Sequence, residues 1–232
     1  MGRRNEFLLT AVCATFALVV VCWPSIDRRA VSDASIREGR GGATAAAPRE
    51  TDLPAAALLT EWYTISHLIG SEAAPVRIIE FGTFTCTFCR ALAAAVDTIQ
   101  RRYPGLVSLR WIHYLPTDQA TGATHFMAEA SECIAGLSGF EGSYRMALLE
   151  GRWIDSRSGL VKASKELEGV DSNDVLACMD SREHRSQLRR HVRATASIGD
   201  VGTPAWFLND RLLVGAVSTA QLDSLVRSEF RR

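Results

Sequence analysis

The sequence predicts an α/β fold. A strand–helix–strand half and a strand–strand–helix half flank a block of helices, and an N-terminal apolar segment precedes them. Three observations predict it. Val76 to Phe81 and Val107 to Leu115 are apolar runs of strand length on either side of an amphipathic stretch, Arg90 to Tyr103. A helical block of about eighty residues follows without a strand-like run. Strand signals return only at Ala205 to Leu208 and Leu212 to Gly215, before a last helical segment. With 232 residues, 47% of them hydrophobic, the chain has enough apolar mass for one domain with its own core. Its formal net charge is zero, which gives no electrostatic ground for binding nucleic acid or for a polybasic membrane patch.

Taken in order, the first element is the apolar run Phe7 to Trp23, seventeen residues without a charge behind the basic start Arg3-Arg4. That length is short for a spanning helix and long for a signal-peptide core. Residues 1–23 are read as an uncleaved signal anchor, with a cleaved signal peptide as the alternative. Either way the rest of the chain is expected outside the cytoplasm, on the outer face of a bacterial cytoplasmic membrane or soluble in the periplasm, where disulfides persist. Residues 24–57, rich in Ala, Gly, Arg and Asp, read as a flexible tether. The folded domain is expected over residues 58–230, with the helical insertion at about 118–198.

Within that domain, Leu92, Val96, Ile99 and Tyr103 recur at helical spacing and give the 90–103 helix one buried face. Strand, helix and strand in this order make a parallel βαβ unit. The spacing predicts insertion helices over 121–137, 140–150, 158–167, 172–179 and 182–198. The first of these is expected to present Phe126, Ala130, Cys133 and Leu137 on one face. Asn209-Asp210-Arg211 between the last two strands is a hairpin signal, and Ser218 with Gln221 makes a capping box for a helix over 219–229.

The motif that carries chemistry is Cys86-Thr87-Phe88-Cys89, placed where the first strand runs into the first helix. A cysteine at a helix N-terminus meets the partial positive charge of unpaired N–H groups, and the thiolate this favours is the form that attacks disulfides. Cys89, one turn on, is within reach of a mixed disulfide on Cys86. The same spacing occurs in zinc sites, but Cys133 and Cys178 are single cysteines that offer no second ligand pair, so no metal is expected.

Together with Gly70 to Pro75, Ile79-Glu80-Phe81 and Gly202-Thr203-Pro204, the motif resembles the DsbA-like thiol–disulfide oxidoreductases, particularly their exported, membrane-anchored branch. The resemblance covers about Leu68 to Phe230 and implies a thioredoxin fold with a helical insertion. It implies that Cys86 is the nucleophile, Cys89 the resolving cysteine, Pro204 a cis-proline, and Thr203 a residue whose backbone pairs with extended substrate. Glu80 matches a buried acid that relays a proton to or from Cys89; on its own, Glu80 could equally be a strand residue facing solvent. The Thr87-Phe88 dipeptide departs from the most oxidising members, which carry a histidine there, so a less extreme thiolate is expected.

The activity implied is disulfide formation in exported cysteine-containing proteins by a monomer without organic cofactor, reoxidised by a membrane quinone-linked partner. A reductase serving a dedicated client such as cytochrome c assembly, or a non-catalytic binding module, are the alternatives. Phe84 and Phe88 are read as an apolar rim for unfolded substrate, and Trp206 and Phe207 as core. Cys133 and Cys178 are read as either a second, non-catalytic disulfide or two buried thiols. His67, His113, His125, His184 and His191 are read as surface or satisfied core residues, and Arg182, Arg185, Arg189 and Arg193 as a solvated stripe.

Overall fold

The computed structural model describes residues 49–51, 56–117, 122–152 and 156–232. The expected signal anchor and most of the tether lie outside these residues; among them, no helix is long and apolar enough to cross a membrane. The elements run β1 (Arg49–Thr51), α1 (Ala56–Ile65), β2 (His67–Ile69), β3 (Val76–Gly82), α2 (Thr87–Arg102), β4 (Val107–His113), α3 (Gly122–Ser138) and α4 (Phe140–Tyr144). A π-helical turn at Arg145–Leu149 follows, then α5 (Arg157–Ser164), α6 (Ser172–Ser181), α7 (Arg185–Ile198), β5 (Ala205–Leu208), β6 (Arg211–Val214) and α8 (Thr219–Glu229).

The sheet order is β1-β6-β5-β3-β4-β2. β3 and β4 pair in parallel across α2, as the βαβ reading requires, and β5 and β6 form the antiparallel hairpin. The hairpin turn is Asn209-Asp210, with Asn209 at a left-handed φ of 54° and Arg211 already in β6. The capping box of α8 is present, with the Ser218 side chain accepting from the Gln221 N–H. The fold is thus the thioredoxin arrangement with helices inserted between its two halves.

β3 lies between β4 and β5 with helices packed on both of its faces, which is why Val76 to Phe81 is almost unbroken in apolar character. Strand alternation splits its side chains. Val76 and Ile78 face α2 and α8 with Leu92, Val96, Ile99, Leu222 and Val226. Ile79 and Phe81 face α1 and α7 with Trp62, Ile65, Ala194 and Ile198. The insertion has its own core of Ala130, Cys133, Ile134, Leu160, Val175 and Met179.

Some expectations are corrected. Residues 49–51 and 56–57, expected within the tether, form an edge strand on β6 and the start of α1. His67 lies in a strand of its own, β2, antiparallel to β4. The 140–150 helix widens into a π-helical turn at Arg145. Leu137, expected on the buried face of α3, is exposed; Ala130 and Cys133 of that face are buried, with Phe126 packed beside them, and Met127, Ser131 and Ile134 are buried as well. The four arginines of the stripe are exposed as expected, but Arg182 stands in a left-handed break between α6 and α7 rather than within a helix.

Cys133 on α3 and Cys178 on α6 are joined, S–S 2.01 Å, which decides between the bridge and the free thiols. Closing a loop with a sequence separation of 45 should stabilise by about 4 kcal/mol on the chain-entropy account. Replacing both cysteines by serine is therefore expected to lower the urea-unfolding free energy by about 2–4 kcal/mol. The same variant should leave the titration of Cys86 unchanged.

Candidate active site

Cys86 is the N-cap of α2, in extended conformation (φ −86°, ψ 118°). Its sulfur takes a hydrogen bond from the Cys89 backbone N–H at 3.1 Å, one of the donors a helix start leaves without a carbonyl partner. Its thiol in turn faces the Thr203 carbonyl at 3.6 Å. The Thr203–Pro204 peptide bond is cis, and the contact of the Thr203 carbonyl with Cys86 sets the segment that opens β5 against the first turn of α2. Both Cys86 and Cys89 are free thiols; Cys86 is half-buried and Cys89 fully buried.

The electrostatics separate the two sulfurs. Hydrogen bonding from the Cys89 thiol, helped by the Thr203 side chain and the Cys89 and Phe88 backbone N–H groups, lowers the Cys86 pKa to about 6 against the opposing effect of burial. Burial, then hydrogen bonding to Cys86 and the nearby Glu80 and Cys86 charges, pushes the Cys89 thiol far up. At neutral pH one sulfur is a thiolate at the surface and the other a thiol beneath it. Thr87 and Phe88 supply no charge, so the Cys86 thiolate rests on its local hydrogen bonds.

Glu80 follows from the strand alternation: two residues after Ile78, it projects towards α2 and ends under Cys89. It is fully buried, which excludes the solvent-facing reading. Burial, reinforced by negative charge at Cys86, raises its pKa well above the ordinary carboxyl value, and the Cys89 thiol beside it offsets this only in part. Gly82 keeps the space closed by having no side chain. A Cβ there would lie 2.5 Å from Trp111 Cη2 and 3.0 Å from Glu80 Oε1.

The aromatic rim divides. Phe88, 65% exposed, stands beside Cys86 on the surface as expected. Phe84 is 3% exposed and cannot be part of a rim. Its ring stacks on Trp111 at 5.2 Å and meets His113 edge-on at 5.4 Å, because the loop after β3 turns it inward over the end of β4. Trp206 and Phe207 are core, as expected.

Sequence reading did not reveal a buried polar cluster behind Phe84. Glu132 Oε1 lies 2.8 Å from His67 Nε2 and 3.3 Å from His113 Nε2, joining α3 to β2 and β4. Their spacing alone would suit a metal ion, but the hydrogen bonds point elsewhere. The Trp111 indole N–H donates to His113 Nδ1 at 3.1 Å, so the His113 proton sits on Nε2, facing Glu132 and the Ser131 hydroxyl. A metal would need the lone pair at that nitrogen. His191 Nε2 is 2.9 Å from the Ile65 carbonyl, to which it donates, and burial followed by the neighbouring His113 lowers its pKa to about 3. For Glu132 burial acts upwards, but hydrogen bonds from His113 and His67 overturn it and hold the carboxyl well below the usual range. The cluster thus pins the insertion to the sheet; each residue is unremarkable in sequence because its partners are distant in the chain.

Absorbance of the Cys86 thiolate, followed against pH, should titrate with a midpoint near 6 and leave Cys89 silent. Glu80→Gln should shift that midpoint little while slowing every step that moves a proton on or off Cys89. For Glu132 the folded pKa is depressed, so its contribution is complete above the unfolded carboxyl value and is lost as pH falls through the folded one. Glu132→Gln should cost about 3 kcal/mol at neutral pH and show a weaker acid-side loss of stability than the parent in denaturant titrations.

A family model described as "Thioredoxin" matches residues 64–228. Among solved structures, BdbD from Bacillus subtilis in its oxidised form superposes with a TM-score of 0.63 at 16% identity, over 82% of this chain and all of that one. A thioredoxin-like oxidoreductase from Silicibacter pomeroyi DSS-3 gives 0.62 at 21% identity, covering 74% and 97%. The thiol-disulfide exchange protein alpha-DsbA2 from Wolbachia pipientis gives 0.59 at 19%, covering 75% and 98%. Among curated sequences, the Na(+)/H(+) antiporter NhaA 1 of Mycobacterium sp. (strain KMS) is 26% identical over 163 residues, 67% of this chain. The chain spans about a quarter of the length of such relatives, 25% in that case. With its paired cysteines at the start of α2, the cis-proline beside them and this match in sequence and fold, the chain belongs to the thioredoxin family and carries the DsbA-like form of its fold.

Proposed function

We propose that the protein is a thiol–disulfide oxidoreductase that forms disulfides in exported cysteine-containing proteins, with Cys86 as nucleophile and Cys89 as resolving cysteine. The observation that carries the reading is the division of the pair into a surface thiolate and a buried thiol. A stabilised thiolate stabilises the reduced protein, and a protein whose dithiol form is stabilised gives up its disulfide readily to a substrate. A Cys86 pKa of about 6 lies between the values of about 7 and 3.5 typical of thioredoxin and DsbA, in keeping with the uncharged Thr87-Phe88 dipeptide.

In the oxidised protein a substrate thiolate attacks Cys86, the Cys86–Cys89 bond breaks, and Cys89 leaves with the electron pair and takes a proton. A second substrate thiolate attacks the substrate sulfur of the mixed disulfide and releases Cys86 as its thiolate. Two substrate thiols become one disulfide, and the pair is reduced by two electrons. Glu80 is the proton donor for Cys89. Phe88 offers an apolar contact for an unfolded segment, and Thr203, whose N–H has no backbone partner among the described residues, offers its main chain next to Pro204. A membrane quinone-linked partner would restore the disulfide. The Cys133–Cys178 bridge and the apolar N-terminal run support a place outside the cytoplasm, anchored at the membrane or soluble in the periplasm, and the monomer is the working unit.

The oxidised protein should transfer its disulfide to a reduced two-cysteine peptide, and Cys89→Ser should accumulate substrates on Cys86 as mixed disulfides on non-reducing gels. In cells, acid trapping followed by alkylation should find the Cys86–Cys89 pair mostly oxidised. A mostly reduced pair with the same adducts would make the protein a reductase. Absence of both transfer and adducts would leave a binding module.

A further inference from the structure

Tyr144, the last residue of α4, reaches out of the insertion into the space beneath the cysteine pair. It is 4% exposed, and its hydroxyl has no hydrogen-bonding partner among the described residues. Both carboxyl oxygens of Glu80 are in the same condition. One indole borders the two groups. Trp111 is the cross-strand neighbour of Glu80 in the β3–β4 register, and the Tyr144 ring meets it edge-on with centroids 5.5 Å apart. Tyr144 is also close enough for the charges of Glu80 and Cys89 to reinforce the effect of burial in suppressing its ionisation.

A buried hydroxyl left unpaired costs about 1–3 kcal/mol, and a carboxyl left unpaired costs more. Two such groups around one indole are within the reach that one buried water bridges. Phenylalanine would fill the same space without the cost, so the hydroxyl calls for a partner.

We propose that Tyr144 is a positioning residue for Glu80, its hydroxyl donating a hydrogen bond through one buried water to the Glu80 carboxylate. The proposal rests on the thiol–disulfide exchange reading and deepens it. When Cys89 leaves the Cys86–Cys89 disulfide, the Glu80 proton passes to the Cys89 sulfur and the carboxylate that remains is held by Tyr144. In reverse, Glu80 takes the proton back as Cys89 attacks Cys86 and the substrate thiolate departs. The groups that face Glu80 are Cys86 and Cys89 from α2 and Tyr144 from α4. Trp111 and Trp206 flank it from β4 and β5 and do not titrate. Asp97 on α2 acts on Tyr144 from further off, and His113, turned to Ser131 and Glu132, is kept uncharged chiefly by burial.

The test is Tyr144→Phe in the full chain, with the Glu80 carboxyl titrated by carbon NMR in the reduced protein. Losing a hydrogen bond to a charged group should raise the Glu80 midpoint by about one pH unit. Thermal stability should fall slightly, since one buried hydrogen bond is lost and its partner is left unpaired, and the Cys86 titration should not move. Cys89-dependent release of a mixed disulfide should slow several-fold at neutral pH, with its pH profile displaced upwards, and Tyr144→Phe should add nothing to Glu80→Gln. An unchanged Glu80 midpoint overturns the proposal, as does an equal loss of rate in the Glu80→Gln background. The titration needs no substrate. A displaced midpoint in a protein that fails the peptide assay therefore supports the pairing while sinking the oxidoreductase reading.

Discussion

One constraint organises the molecule: two sulfurs a single helical turn apart must hold opposite protonation states. The hydrogen bond from the Cys89 N–H to the Cys86 sulfur, 3.1 Å, is where that difference begins. It requires α2 to start at Thr87, which puts Cys86 at the open end of the helix and Cys89 on its first buried turn. The amphipathic face of α2 then presses Cys89 into the core with Leu92, Val96 and Ile99. Burial keeps one sulfur protonated, and exposure with local donors keeps the other ionised. The rest of the site serves this asymmetry.

β3 places a carboxyl, Glu80, beneath the buried sulfur, inside the sheet rather than at its edge, and under the proposed function this carboxyl is the route for the Cys89 proton. An unpaired carboxyl inside protein is costly in its charged form, which is why it keeps its proton and can later give it up. Gly82, Trp111 and Tyr144 enclose that carboxyl, and they come from β3, β4 and the insertion. The insertion is therefore part of the wall of the reaction site as well as a cover for it. The cluster of His67, His113, Glu132 and His191 holds it in register with the sheet, and Phe84 carries that alignment to the loop that precedes Cys86.

The surface side of the site is sparse by comparison. Phe88 and the Thr203–Pro204 segment are one exposed apolar ring and one length of main chain beside Cys86; under the proposed function they take an extended, unfolded segment. Thr203 has its carbonyl facing the Cys86 thiol, and its N–H has no backbone partner among the described residues.

The linear pattern of residues determined the order of strands and helices, the place of Cys86 at a helix start, the hairpin and the capping box of α8. These depend on neighbours within a turn or a strand. It also marked Glu80 and Pro204, through the resemblance of Ile79-Glu80-Phe81 and Gly202-Thr203-Pro204 to the DsbA-like oxidoreductases. It did not reveal β1 or β2, each of three residues, because a strand so short has no alternation to read and exists only through pairing with β6 or β4. It assigned Phe84 to the rim because an aromatic beside a CxxC pair looks the same whether it turns out or in; the stack on Trp111, contributed by another strand, decided the direction. The Cys133–Cys178 bridge, the histidine–glutamate cluster and the approach of Tyr144 to Glu80 join residues dozens of positions apart. Local periodicity carries no information on such contacts; only the packing of the insertion against the sheet fixes them, and with them the environment in which the Cys86–Cys89 pair works.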